Sequence, residues 1–184
     1  MGLWAVRGGP RFYFGAPGDI PVPGDYSADG TAAAGIYRGA SGLWAVRGVT
    51  RTYFGEESDI PAPGPYDWTG RLRLGIFRGS SGLWAVRGLT RCYFGSPGDI
   101  PVPGDYAGDG IWSPAVFRAS SGLWAVRGFT RIYFGDRRDL PVPGDYAGEG
   151  NDNPGIFRGA SGLWAVRGVT RVYFGGPGDI PVTR

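Results

Sequence analysis

The chain has no histidine, no lysine and a single cysteine among its 184 residues. Without histidine it lacks the side chain that most often moves protons near neutral pH, and without Cys–His combinations it lacks the usual nucleophile pairs and zinc ligand sets. No Gly-Lys-Ser/Thr loop is present to hold a phosphate. No apolar run approaches the roughly 20 residues that a membrane-spanning helix needs. These absences predict a protein that is neither an enzyme nor inserted in a membrane.

The charge is nearly balanced, since 19 arginines face 16 carboxylates for a formal net charge of +3. The acidic residues are scattered through the same segments as the arginines. A nucleic-acid-binding protein typically has a basic stripe without interleaved acids. We therefore expect no nucleic-acid partner.

Glycine and proline are abundant, with 36 and 16 residues, and aromatic residues make up 15% of the chain. The first two favour tight turns over long helices. The aromatic residues supply the apolar surface that a disordered Gly/Pro-rich polymer lacks. Cys92 stands where other copies of a repeat carry Phe12, Thr52, Ile132 and Val172, so we expect it to fill an apolar position.

A repeat of 40 residues runs through the whole chain. Gly-Leu-Trp-Ala-Val-Arg-Gly occurs five times, with its tryptophans at Trp4, Trp44, Trp84, Trp124 and Trp164. Each copy is followed by Tyr-Phe-Gly and then by an Asp-Ile/Leu-Pro segment. A fourth segment, Gly/Ala-Ile/Val-Phe/Tyr-Arg, occurs only four times and ends at Arg38, Arg78, Arg118 and Arg158. A fixed period of this length is typical of repeat architectures.

Within one unit the apolar pattern has a period of two, which predicts strands. In the second copy the predicted strands are 43–47 and 51–54, joined as a hairpin, then 60–66 and 75–78. Pro61 and Pro63 cannot donate to a sheet ladder, so 60–66 is expected to be the innermost, edge strand. Four short strands and their connections fill 40 residues.

These patterns predict an all-β protein, a β-propeller of about five blades built from 40-residue four-stranded repeats. The recurring tryptophan and tyrosine rings are expected to pack between successive sheets. Residues 1–184 form one repeat domain, with units at about 1–18 (partial), 19–58, 59–98, 99–138, 139–178 and 179–184 (partial). The fifth blade is expected to be composite or incomplete, so self-association through it is one expected outcome. Because the chain begins inside a unit, we expect it to be part of a larger protein.

The run Asp-Ile-Pro-Val-Pro-Gly-Asp-Tyr, then Ala-Gly-Asp-Gly and Ala-Val-Phe-Arg, at residues 99–118, resembles FG-GAP/VCBS-type repeats of bacterial surface proteins and integrin-like propellers. The resemblance covers the whole chain and implies an extracellular or cell-surface location. In that family the turn after the first strand holds calcium through alternating oxygen ligands. The matching positions here are Asp25, Asp29, Asp105, Asp109, Asp145 and Glu149. The alternative is that these residues only make the turn. The second copy, with Asp67 beside Arg73, has lost the motif.

Two sets of residues are candidates for ligand contact. Trp44, Arg47 and Arg51, repeated in every unit, combine an aromatic face with guanidinium donors and could bind glycans, or they could pack internally. Trp68 and Trp112 occur only in turn loops, where each is either a contact residue or a lid over its blade.

The leading hypothesis is a non-catalytic binding or scaffold module, structural or adhesive, from a larger bacterial secreted or surface protein. A multivalent carbohydrate-binding propeller and a calcium-stabilised propeller are the alternatives. No cofactor is required, with calcium left open, and the partner is expected to be a protein or a glycan.

Overall fold

The computed structural model describes residues 2–6 and 8–181. Within them the chain forms four four-stranded antiparallel sheets and one two-stranded hairpin. The sheets are the blades of a propeller-like ring. The one helical element of the described residues is a 3₁₀ turn at Gly39–Ser41. None of the described helical structure is long and apolar enough to span a membrane.

Each blade runs from an inner strand to an outer strand in chain order, apart from the N-terminal hairpin. The hairpin is β1 (Leu3–Ala5) and β2 (Arg11–Tyr13). Blade 1 is β3 (Ile20–Pro21), β4 (Gly35–Arg38), β5 (Leu43–Val46) and β6 (Thr50–Tyr53); blade 2 is β7 (Asp59–Pro61), β8 (Gly75–Arg78), β9 (Leu83–Val86) and β10 (Thr90–Tyr93). Blade 3 is β11 (Ile100–Pro101), β12 (Ala115–Arg118), β13 (Leu123–Val126) and β14 (Thr130–Tyr133); blade 4 is β15 (Leu140–Pro141), β16 (Gly155–Arg158), β17 (Leu163–Val166) and β18 (Thr170–Tyr173).

The predicted strands are present, but the inner strand is shorter than expected. In blade 2 it spans Asp59–Pro61 instead of 60–66, and beyond it only an isolated bridge joins Gly64 to Arg73. Proline has no backbone N–H, so Pro61 and Pro63 interrupt the ladder. The predicted hairpin is confirmed, with a turn in which Gly48 has a φ of +76°, a conformation that glycine adopts without strain.

Each blade presents two different faces to its neighbours. We call the side that carries the tryptophan the aromatic face and the opposite side the aliphatic face. Phe77 and Trp84 on the aromatic face of blade 2 pack with Val116 and Ala125 on the aliphatic face of blade 3. The same contact joins blade 1 to blade 2 and blade 3 to blade 4. Cys92 lies partly buried beside this cluster, which confirms its predicted apolar position.

The prediction about the packing rings is half right. Trp44, Trp84 and Trp124 are fully buried between blades. The tyrosines of the five Tyr-Phe-Gly segments, in contrast, are all exposed. Tyr53 pairs with Leu43 across the hairpin and thus alternates with Thr52, which pairs with Trp44. The tyrosine therefore lies on the opposite side of the sheet from the tryptophan, at the end of the outermost strand.

The ring contains four four-stranded blades, not five. The β1–β2 hairpin packs on blade 1 in the manner of a preceding blade. A Cβ placed on Gly15 would lie 3.1 Å from the Cγ2 of Ile36, and one on Gly55 would lie 3.2 Å from the Cγ2 of Ile76. The guanidinium carbon of Arg47 lies 4.1 Å from the centre of the Phe12 ring. The hairpin thus supplies the two outer strands of a fifth unit, for which the described residues contain no second strand and the 184 residues no fifth Arg-terminated segment.

Candidate functional site

An ion pair joins the first two strands of every complete unit. The Nε of Arg78 donates to the Oδ1 of Asp59 at 2.7 Å, and its Nη2 donates to Oδ2 at 3.0 Å. The other three pairs are Asp19–Arg38, Asp99–Arg118 and Asp139–Arg158. The hydrogen bond from Arg38, working against partial burial, lowers the pKa of Asp19. Sequence analysis missed these pairs, although the constant spacing of 19 residues was a signal that could have revealed them.

Asp179 begins the fifth unit and has no arginine partner among the described residues. Its Oδ2 accepts a hydrogen bond of 2.8 Å from the Gly176 amide, as the corresponding carboxylates do in the complete units. Its side chain is exposed, whereas Asp59, Asp99 and Asp139 are buried. In the complete units the paired arginine ends the second strand, and the described residues contain no such strand for the fifth unit.

The aromatic face of blade 4 is exposed where the other three are covered. Phe174 is 78% exposed and Val172 is 48% exposed. Tyr146 is 39% exposed, whereas its counterparts Tyr26, Tyr66 and Tyr106 are at most 8% exposed. We call the region formed by Tyr146, Trp164, Val172, Phe174 and Asp179 the open side of the ring.

The turn loops show the same contrast. In three places a loop side chain covers a glycine of the preceding blade: Leu72 over Gly24, Trp112 over Gly64 and Asp152 over Gly104. The Trp112 amide also donates to the Pro65 carbonyl of that blade at 3.0 Å. At Gly144 of blade 4, the three described atoms nearest to a Cβ all belong to the ring of Tyr146, on the same blade. The open side therefore lacks the loop contact as well as the strand contact.

The two predicted turn-loop tryptophans are in different environments. Trp112 is partly buried, since its ring lies over Gly64, and a Cβ on that glycine would be 2.5 Å from the indole Cε3. Trp112 is therefore an inter-blade packing residue. Trp68 is 81% exposed at the tip of its loop. Beside it, Arg73 donates to Asp67 at 2.8 Å, in the loop that departs from the calcium motif.

Trp44, Arg47 and Arg51 are not brought together around one ligand surface. Trp44 is fully buried, and its indole N–H donates to the Phe54 carbonyl at 2.9 Å. Arg47 covers the Phe12 ring, and Arg51 is exposed on β6. The indole face that the glycan-binding hypothesis assigns to Trp44 is covered by blade packing.

The predicted calcium loops use their first carboxylate to organise the turn. In the first copy, Asp25 Oδ2 accepts from the Gly30 amide at 2.7 Å, and its Oδ1 accepts from the amides of Ser27 and Asp29. Although partial desolvation opposes it, this set of amide donors lowers the pKa of Asp25. Asp29 accepts from the Thr31 amide at 2.8 Å.

Asp105, Asp109, Asp145 and Glu149 occupy the corresponding positions of the third and fourth copies. Asp105 and Asp145 accept from the loop amides in the same way as Asp25. Asp109 accepts from the Ile111 amide, as Asp29 does from Thr31. No group of three or more potential acidic, histidine or cysteine ligands occurs within the described part of the chain. Calcium binding by these loops stays a prediction.

The inner strands surround a central cavity of about 580 Å³. Its walls are mainly isoleucine, leucine, valine and proline side chains from all four blades. Ile180 and Pro181 line the same cavity. The C-terminal segment therefore lies at the inner position of the fifth unit, and the β1–β2 hairpin lies at its two outer positions.

Comparison of the chain with family models, with curated proteins and with solved structures gave no match. The resemblance to FG-GAP/VCBS repeats is therefore supported only as far as the propeller-like arrangement of four-stranded sheets. The calcium loops and the family membership stay predictions.

Proposed function

We propose that this chain is a non-catalytic binding or scaffold module that acts through protein–protein contact at the open side of the ring. The observation that carries the proposal is the exposed aromatic face of blade 4, centred on Phe174. The same face is covered in the other three blades. A contiguous apolar surface bordered by polar groups is typical of interaction sites. The family resemblance adds the expectation that the parent protein is secreted or held at a bacterial surface.

A displayed library of random peptides tests this proposal. We expect sequences to be enriched on the wild-type chain and not on a Phe174→Ser variant. Tyr93→Ser is the matched control, because Tyr93 is an equally exposed aromatic residue on a complete blade. It should enrich the same peptides as the wild type. Equal enrichment on all three proteins, or none on any, would contradict binding at the open side.

The proposal requires no metal. The loop carboxylates already accept hydrogen bonds from backbone amides, so the turns have an internal means of support. We expect the melting temperature of the chain to be the same with calcium and with a chelator. A clear rise with calcium would instead support a calcium-stabilised propeller, because a ligand that binds the folded state raises its stability.

Glycan binding is a second candidate, favoured by one observation: the indole of Trp68 is almost fully exposed. Exposed indoles can stack on sugars and other ligands with an apolar face. A glycan array tests this role. Glycan binding that is lost in Trp68→Ala would support a lectin, and an array without signals would contradict the glycan-binding role.

A further inference from the structure

We infer that the open side binds an extended strand from outside these 184 residues, with the pattern small, β-branched, aromatic, arginine. This inference rests on the proposed function and names the partner chemistry for the same surface. The bound segment would lie between the inner segment that contains Ile180 and the outer hairpin strand β1.

The backbone at this place is prepared for strand addition. In each complete blade the third strand pairs on both sides, as β9 does with β8 and β10. Within the described residues, β1 pairs only with β2. An unpaired strand edge is a template for pairing with another chain, and main-chain hydrogen bonds then supply affinity while alternate side chains supply specificity.

The first position must be small. In blade 2 this residue is Gly75, and a Cβ on it would press against the Ala62 carbonyl of the neighbouring inner strand. Blades 1 and 4 also have glycine here, and blade 3 has Ala115, which is fully buried. The inner strand of a blade thus leaves room for hydrogen or a single methyl group.

The second and third positions face opposite sides of the new strand. In the complete blades the second residue is isoleucine or valine, and it lies against the terminal glycine of the preceding blade, as Val116 lies 3.1 Å from a Cβ on Gly95. At the corresponding Gly175 the three nearest atoms of the described residues all belong to Asp179. A β-branched residue would therefore fill the space beside Gly175 and cover Phe174.

The third position is aromatic because it packs on the tryptophan of the hairpin. The ring centres of Phe77 and Trp84 are 5.0 Å apart, with similar values in the other complete blades. In the fifth unit the ring beside Trp4 is that of Phe12, its partner across the outer hairpin, with ring centres 6.4 Å apart. Among the described residues no second-strand ring lies beside Trp4, so the position next to it is available to an incoming aromatic side chain.

The fourth position is arginine because of Asp179. Asp19, Asp59, Asp99 and Asp139 occupy the same position of the repeat as Asp179 and accept the same hydrogen bond from a backbone amide. Each of these four also pairs with the guanidinium of an arginine on the second strand. Asp179 is the fifth, and it is exposed with no such donor among the described residues. A guanidinium forms two parallel hydrogen bonds with a carboxylate, which adds orientation as well as energy.

A second copy of the chain does not satisfy this pattern. Each 184-residue chain carries five Asp segments and four Arg-terminated strands. Strand exchange between copies would therefore leave the same number of aspartates without arginine. The second strands are also held in place, since Phe77, Phe117 and Phe157 are at most 1% exposed. The occupant is accordingly a strand that lies outside these 184 residues and is not supplied by a second copy of them.

Fluorescence anisotropy with a defined peptide tests the inference. The probe is a labelled synthetic peptide with the sequence of residues 151–160, Asn-Asp-Asn-Pro-Gly-Ile-Phe-Arg-Gly-Ala, added to the full 184-residue chain. We expect saturable binding. We expect affinity to fall about ten-fold or more when the peptide arginine is replaced by glutamate or the isoleucine by aspartate, because a charged pair or a buried side chain is then lost.

The chain variants locate the bound peptide. Asp179→Asn should weaken binding about ten-fold, whereas Glu57→Gln, which removes the same charge at an exposed loop position, should leave it unchanged. Binding that is insensitive to Asp179→Asn, or no saturable binding at all, would overturn the inference. A dimer in light scattering that the peptide does not dissociate would overturn it in favour of a second copy. If the peptide fails while the displayed library still distinguishes the wild type from Phe174→Ser, the proposed function stands and only the strand pattern is wrong.

Discussion

The interface between blades 2 and 3 and the open side of blade 4 are built from the same residues in different surroundings. At the closed interface Trp84 is fully buried, Asp99 receives a bidentate arginine, and Trp112 covers Gly64 of the neighbouring blade. At the open side Trp164 is partly exposed, and neither Asp179 nor Gly144 has the corresponding neighbour among the described residues. Three separate contacts, apolar, ionic and loop-mediated, are thus made together or not at all.

The comparison teaches that a blade of this repeat is stabilised mainly by its contacts with the neighbouring blades. Each sheet has its own ladder of hydrogen bonds, yet its tryptophan is fully covered only when the next blade is present. In repeat proteins the stability is approximately a sum of unit terms and nearest-neighbour interface terms. The closed interfaces should therefore dominate the stability of the ring, and the following variants test this in order of expected effect.

The largest contrast is expected for the tryptophans. Trp84→Ala should lower the free energy of unfolding by about 3–5 kcal/mol, since it leaves a cavity in a closed interface. Trp164→Ala should cost about 1–3 kcal/mol, because part of that ring is already in contact with solvent. Urea unfolding of both variants gives the difference. Equal losses would mean that the open side is as well packed as the closed interfaces.

The aspartates give the next contrast. Asp99→Asn weakens a buried pair with Arg118, and we expect a loss of about 1–3 kcal/mol in unfolding free energy. Asp179→Asn should have no measurable effect on the isolated chain, because the asparagine oxygen can still accept from the Gly176 amide. Thermal unfolding at neutral pH compares the two. A large loss in Asp179→Asn would show that this carboxylate has a partner in the free chain.

The turn-loop tryptophans give a smaller contrast. Trp112→Ala exposes Gly64 and removes an inter-blade contact, so a loss of about 1–2 kcal/mol is expected. Trp68→Ala alters an exposed loop tip and should change stability by less than about 0.5 kcal/mol. Chemical unfolding checks both. The reverse order would contradict the assignment of Trp112 to the interface.

The smallest effect is expected at high pH. Burial in the closed interface of blades 1 and 2 raises the pKa of Tyr37 to about 12, and the nearby Asp59 carboxylate acts in the same direction. Below pH 10, the ordinary pKa of tyrosine, the side chain is protonated in both the folded and the unfolded state, so its titration does not change the free energy of unfolding. Stability then falls as the pH rises from 10 towards 12.

Tyr37→Phe introduces the residue found in the other three blades and removes this titration. It should therefore flatten the decline in melting temperature between pH 10 and 12, with little change at pH 7 beyond the loss of one hydrogen bond to the Glu56 carbonyl. An unchanged alkaline decline would place the sensitive groups elsewhere, for example at Tyr26, Tyr66 and Tyr106, whose pKa values are also raised by burial.

The fold was largely predictable because the sequence repeat indicates the strands of each unit. A period of 40 residues, alternating apolar positions and two prolines per unit predicted four-stranded sheets with a proline-containing inner strand. The missing second strand of the fifth unit was visible as the absence of a fifth Arg-terminated segment. The predicted total of about five blades was one too many, because the fifth unit, expected to be composite or incomplete, forms no four-stranded sheet among the described residues.

The contacts between segments were much less predictable. The pairing of Asp59 with Arg78 depends on how the inner two strands align, and single-sequence periodicity does not report that alignment. Trp68 and Trp112 looked alike as turn residues, although a difference of four positions in the loop places one at the tip and the other over Gly64. Tyr53 and Trp44 looked like equivalent rings until the register placed them on opposite sides of the sheet.

Hydrogen exchange of the backbone amides tests the central claim most directly, because it reports which strands are paired and covered. In the free monomeric chain, Leu83–Val86 of blade 2 should exchange slowly, and the equivalent Leu3–Ala5 of the hairpin should exchange far faster. Equal, slow exchange of both segments in a monomer would contradict an open fifth position and with it the account of the ring.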